Sequence, residues 1–185
     1  MIGLERNVVR LVLYRPEWQA LYESEKQCLL GVVGSAILDI QHVGSTALPG
    51  GVAKPIIDIA IAVEDFEQAF ECVEPIQQSG YEYHGEHGIP RRHYFVRRMD
   101  QPPGEQLSTH HVHMVELRSP DWQKMILFRD YLLAHPEFIA EYTELKLRLA
   151  EQFPTDRVAY TDGKAAFVAR VLQLAHPADQ SSGTR

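Results

Sequence analysis

A chain of 185 residues, 45% of them hydrophobic, is long enough to bury one core and short for two domains without a visible linker. Its formal net charge of −7 excludes the footprint of a general nucleic-acid binder, so nucleic acid is not the expected partner and an anionic ligand must be met by local cations. The two cysteines, Cys28 and Cys72, lack metal-ligand spacing, every long apolar run is broken by a charge, and no basic stretch leads an apolar one at the start, which reads as a cytoplasmic protein without a membrane partner.

Residues 8–14, VVRLVLY, predict a short strand or extended lead-in. Pro16 suits a first helical turn, and the stripe Trp18, Leu21, Tyr22 and Leu29 predicts an amphipathic helix over 16–31. AILDIQHV reads as a strand, a Gly- and Pro-punctuated loop follows, and KPIIDIAIAV reads as a second strand. Asp65 as N-cap and Gly80 as stop bracket a helix over 66–78. HYFVRRM and LSTHHVHMVEL predict two further strands, and Ser119-Pro120 opens a helix to about Ala134. Pro136 separates it from a helix through residue 152, and a last helix runs from about Asp162 to Ala175. Early strands and late helices point to one α+β domain over 1–176, with 177–185 as a flexible polar tail.

The loop Gly44-Ser45-Thr46, continued by Pro49-Gly50-Gly51, offers two hydroxyls and unobstructed backbone N–H groups, which suit phosphate oxygens. The plainer alternative is a tight connection that needs glycine for its backbone angles. On the next strand Ile57, Ile59 and Ile61 face the core by period two, so Asp58 points the other way with Lys54, Ile56, Ala60 and Ala62. In THHVHMVEL the same parity puts His111 and His113 on one face with Val115. A His-x-His pair joined by Asp58 and His42 is a candidate metal site, with His113 the favoured imidazole and Zn²⁺, Mn²⁺ or Fe²⁺ favoured over Mg²⁺; hydrogen-bonded structural histidines are the alternative. Glu116 is a further carboxylate if the strand carries a bulge. Arg129, Lys146 and Lys164 each sit on or beside an apolar helical stripe and are joint candidates for phosphate contact, although each alone reads as a rim residue. Arg91, Arg92, Arg97 and Arg98, on an exposed hairpin, read as solvated surface, with RNA or substrate contact as the alternative.

HVGSTALPGGVAKPIIDI, with FRDYL at 128–132, Tyr142 with Leu145-Lys146, and Tyr160 with Lys164, resembles the GrpB family over roughly residues 7–174. Proteins of that family are similar in fold to the nucleotidyltransferase superfamily. The resemblance implies a mixed β-sheet with flanking helices and a C-terminal helical part. It implies that Gly44 and Ser45 hold phosphates, and Thr46, Lys54, Arg129, Lys146 and Lys164 complete the expected set of ligand contacts. Asp58 matches the first of two carboxylates that bind a divalent metal, Mg²⁺ or Mn²⁺ with Zn²⁺ as an option, and Asp58 and Ser45 would be the catalytic pair. The position of the second carboxylate is Ala60. Two readings follow: metal-dependent nucleotidyl transfer, or a non-catalytic module binding a nucleotide or coenzyme A-related ligand. A metal-dependent hydrolase using the histidines is a third. Domains of this family also occur fused to dephospho-coenzyme A kinases, but the chain lacks GxxxxGK[ST] and is not expected to be that kinase.

Overall fold

The computed structural model describes residues 2–101 and 104–176, so the expected tail over 177–185 lies outside the described residues. The elements are β1 (Val12–Leu13), α1 (Glu17–Val33), β2 (Asp39–Val43), β3 (Val52–Ala53), β4 (Ile57–Val63), α2 (Val73–Gln78), β5 (Tyr81–Tyr83), β6 (His93–Gln101), β7 (Glu105–Glu116), α3 (Pro120–Ala134), α4 (Pro136–Gln152), α5 (Arg157–Asp162) and α6 (Ala165–Ala175). Five strands form a mixed sheet in the order β2-β4-β7-β6-β5, in which only the central β4–β7 pair is parallel. The expected α+β architecture, a mixed sheet with flanking helices and a helical C-terminal part, is what the chain adopts.

Side-chain alternation divides the sheet into two unlike faces. Ile40, Ile57, Ile59, Ile61, Phe95, Val112 and Met114 pack with Trp18, Tyr22 and Leu29 of α1 in the main core. Each buried isoleucine there contributes roughly 1.5–3 kcal/mol relative to exposure. The opposite face carries small residues where a helix must come close: Ala60 and Ala62 lie with Val43 and Val115 under Trp122 of α3. α4 and α6 form a separate cluster with Leu48 from the loop after β2 and Leu132 of α3. The sheet half not covered by α3 is left open toward the C-terminal helices.

The differences from the sequence expectations are local. The lead-in over 8–14 pairs only at Val12 and Leu13, against β3, because the Val9 N–H bonds to the Pro154 carbonyl instead. The strand expected from Lys54 starts at Ile57, since Pro55 has no N–H to give a ladder. The helix over 66–78 begins as a 3₁₀ segment, Gln68–Cys72, with Asp65 accepting from the Gln68 N–H at 2.8 Å. The last helix is two: Asp156 caps α5 by accepting from Val158 and Ala159, and the chain breaks at Gly163–Lys164 before α6.

Candidate functional site: a cationic cleft beneath the Gly-Ser loop

Antiparallel pairing sets Val43 opposite Asp58, so the chain leaves β2 directly above that carboxylate. It can do so only through glycine. Gly44 has φ +70°, and a Cβ there would fall on the Asp58 carboxylate. Ser45–Ala47 then make one 3₁₀ turn. Parallel pairing of β4 with β7 places His111 beside Asp58 and His113 beside Ala60. His111 Nδ1 lies 3.3 Å and His113 Nε2 3.7 Å from Asp58 Oδ1. Burial works to raise the Asp58 carboxyl, but the two imidazoles outweigh it and hold the group well below the usual carboxylate range. Arg92 Nη1 lies 3.3 Å from His113 Nδ1. A guanidinium can only donate, so Nδ1 accepts and the His113 proton sits on Nε2, facing Asp58.

Gly44, Ser45, Thr46, Lys54, Asp58, His111, His113 and Lys164 line one cavity of about 310 Å³, closed by Phe128, Tyr142 and Tyr160 from the C-terminal helices. Lys54 and Lys164 flank the Tyr160 ring, 5.3 and 4.7 Å from its centre. Behind the loop, Lys146 is only 2% exposed and donates to Ser45 Oγ at 3.1 Å and to the Val52 carbonyl. With a lone pair of Ser45 so used, its hydroxyl proton is left to donate to the neighbouring Tyr142 oxygen or to a ligand oxygen. Burial pushes Lys54 down to about 7, aided by Arg157 and Lys164, and pushes Lys146 down to about 7, aided by Lys164. Burial also lowers Lys164, against the pull of Asp58. Among the described residues none of these three lysines makes an ion pair.

Two expected members lie elsewhere. His42 pairs with Ile59 in the ladder and therefore projects from the α1 face, opposite to Asp58. It stacks on Tyr22, with its ring nitrogens 3.0 Å from Thr46 Oγ1 and 3.4 Å from Gln19 Oε1, and burial takes its pKa down to about 4. It is a neutral support for the loop, outside the Asp58 donor set. Arg129 does not reach the cleft: it donates to Gln41 Oε1 and the His42 carbonyl at 2.9 Å each and pairs with Asp130, in a separate hollow on the outer side of β2. Glu116 pairs with Arg91. Arg92, read from sequence as solvated, is 7% exposed.

The donor set does not fit Mg²⁺, and the His113 tautomer also weighs against a transition metal. Mg²⁺ needs several hard oxygens, and Asp58 is one carboxylate whose Oδ1 faces two imidazoles. Ala60 is 0% exposed beneath Trp122, which leaves no room for a second. A metal-bound histidine normally donates its other ring N–H to an acceptor, whereas the second nitrogen of His113 meets the Arg92 donor. Among the described residues the one set of three candidate ligands lying within 4.8 Å of one another is Asp65, Glu67 and Glu116, and the Arg91 guanidinium already bridges Glu67 and Glu116.

Sequence reasoning placed His111 on the cleft face without singling it out, and it missed the aromatic wall of Tyr142, Tyr160 and Phe128. Their positions in the resembling motifs, next to Lys146, Lys164 and Arg129, were the available signal. Arg157 had none, because the six-residue α5 is too short to show a stripe.

The family described as "GrpB protein" matches residues 8–174. The UPF0157 protein YqkA of Bacillus subtilis is 40% identical over 163 residues, covering 88% of this chain, which spans only 46% of that protein's length. The crystal structure of the conserved protein GrpB from Enterococcus faecalis superposes with a TM-score of 0.78 at 32% identity, covering 90% of this chain and 96% of that one. The Cid1 poly(U) polymerase, at TM-score 0.53 and 14% identity over 83% of this chain and 49% of its own, shares the fold. On the span of these matches and the shared architecture, the chain belongs to the GrpB family, with a nucleotidyltransferase-like fold.

Proposed function

We propose that the cleft binds a nucleotide or another phosphorylated small molecule, with phosphate held by Ser45 and Thr46 of the Gly-Ser loop and by Lys54 and Lys164. The observation that carries this reading is the charge balance: a net-acidic chain sets Lys54 and Lys164 in the cavity wall with Asp58 and Lys146 behind the loop, and gives none of the three lysines an ion-pair partner among the described residues. Gathering like charges in a partly buried site is unfavourable unless an anion joins them. The nucleotidyltransferase-like fold supports a nucleotide as the ligand class.

Metal-dependent nucleotidyl transfer is the second reading, favoured by the place of Asp58 beneath the loop. The buried Ala60 and the Arg92–His113 contact speak for the binding module instead. Calorimetry with UTP, ATP and pyrophosphate, each with and without Mg²⁺, separates the two. Binding that does not depend on Mg²⁺ is expected, weakened by about 1–3 kcal/mol in Lys164→Met. Absence of binding by every phosphorylated compound, or wild-type affinity in Lys164→Met, would remove the proposal. A strict Mg²⁺ requirement would return the transferase reading.

A further inference from the structure

Beside the Ser45 cleft lies a second hollow of about 450 Å³, sharing Lys54, His111, His113 and Thr161 with it. Its wall contains Arg6, Lys54, Arg92, Arg98 and Arg157, and no aspartate or glutamate. In a chain of net charge −7, five cations around one depression without a carboxylate in the lining is an arrangement that electrostatics alone does not favour.

The fold builds this wall deliberately from four places. In the β6–β7 ladder the register slips, with Arg97 opposite His110 but Arg98 opposite Ser108, so Thr109 is unmatched. The bulge turns Ser108 to the cleft face, where its Oγ accepts from Arg98 at 2.9 Å. Ser108 also pairs with Leu4 through both backbone bonds, and the Val9 N–H is held by Pro154. The turn between them, with Asn7 at φ +64°, is thereby pinned over the hollow and carries Arg6. Asp156 caps α5 and sets Arg157 at its first turn. Arg92 lies over the Tyr94 ring, 4.7 Å from its centre, and is 7% exposed. It donates to the Glu86 and His87 carbonyls, and its Nε has no partner. Of the five, Arg98 alone has an ion pair among the described residues, with Glu82 at 2.9 Å. Burial lowers both Arg92 and Arg157, as it does for cations that have not met a counter-charge.

We infer that this hollow is a second phosphate subsite, continuous with the Ser45 cleft through Lys54, and that the ligand set therefore carries two separated phosphate groups rather than one. The inference rests on the proposed reading of the cleft and extends it. One molecule phosphorylated at two positions satisfies it, as does a nucleotide together with a second phosphorylated reactant; the chemistry at the subsite is the same.

Calorimetry on the full chain with adenosine 5′-monophosphate and adenosine 3′,5′-bisphosphate tests it, with inorganic phosphate added to the monophosphate as a third arm. The bisphosphate is expected to bind about tenfold tighter than the monophosphate, or phosphate to tighten monophosphate binding by a similar factor. The first result assigns both groups to one ligand and the second to two. In Arg157→Gln and in Arg6→Gln the ratio should fall toward one. Arg6 is exposed, so its variant keeps the test open even if Arg157→Gln folds poorly. Monophosphate binding with neither gain, or a gain that survives both substitutions, overturns the second subsite and leaves the cleft reading standing. No binding by any of the three probes overturns both.

Discussion

The Lys146 ammonium on α4 donates to Ser45 Oγ at 3.1 Å, joining residues 101 positions apart in the chain. The same ammonium donates to the carbonyl of Val52, so one side chain ties the Gly-Ser loop, β3 and the C-terminal helices together. Lys146→Met keeps the stem and removes the donor. Leaving a buried carbonyl unpaired costs about 1–3 kcal/mol, which urea unfolding should read as a lowered midpoint at unchanged slope. Pyrophosphate affinity should fall as well, since the loop loses its anchor.

Gly44 and Gly50 both have left-handed backbones, at φ +70° and +84°, but differ in what a side chain would meet. Nothing lies within 4 Å of a Cβ at Gly50, whereas one at Gly44 meets Asp58. Gly50→Ala should cost only backbone strain, about 1–2 kcal/mol. Gly44→Ala should cost more and displace the carboxylate, abolishing ligand stabilisation in a thermal-shift assay that Gly50→Ala passes.

Position 60 is closed by Trp122, so restoring a carboxylate there should not restore a metal site. Ala60→Asp is expected to destabilise the fold by several kcal/mol, as burying an unpaired charge does, with no gain in Mg²⁺ binding by calorimetry. A gain in Mg²⁺ affinity in a folded variant would contradict the geometry of α3.

His42 and His110 are both buried, and burial takes each from the ordinary 6.5 to about 4. Between those values the unfolded chain binds protons that the folded chain refuses, so stability rises with pH across that window and is lost as pH falls through it. Each histidine accounts for at most roughly 3 kcal/mol. Urea midpoints measured from pH 7 to 4.5 should decline, and His110→Phe, which also removes a ring nitrogen lacking any partner, should flatten the decline.

Lys54 and Lys146, each at about 7, are mostly neutral in the free protein at pH 8. A bound phosphate favours their charged forms, so binding above pH 7 takes up protons. Affinity should be greatest below pH 7 and fall as pH rises past it. Calorimetry at pH 8 in buffers of different ionisation enthalpy reads the proton uptake directly; equal heats in all buffers would separate these lysines from the ligand.

The parity of β4 was legible because Ile57, Ile59 and Ile61 alternate with Asp58 and Ala60, and period two needs no partner strand to be read. The same pattern gave β7 its two faces, and the cleft-lining Gly44, Ser45, Thr46, Lys54 and His113 followed from loop and strand positions, with Lys164 from the apolar stripe of its helix. His42 was misplaced because which face β2 turns to its neighbour depends on register, set by Val43 opposite Asp58. Arg129 does lie on its helical stripe, but Trp122, Met125 and Ile126 of that stripe pack on the sheet face while Arg129 reaches the outer side of β2, a matter of helix docking that one helix cannot reveal. β5 and α5, three and six residues long, carry too few positions for any period to show. Arg92 looked solvated because its hairpin neighbours are, while Tyr94 and the Glu86 and His87 carbonyls that enclose it come together only in three dimensions.

The parallel seam between β4 and β7 joins two halves that can each form by local antiparallel pairing, β2 with β4 and β5 through β7. Asp58 belongs to one half and His111 and His113 to the other. Neither half holds a cleft by itself, and the parallel union demands the costlier long-range closure. A ligand spanning the seam therefore holds the two halves to each other, so binding should slow unfolding while leaving the rate of folding nearly unchanged.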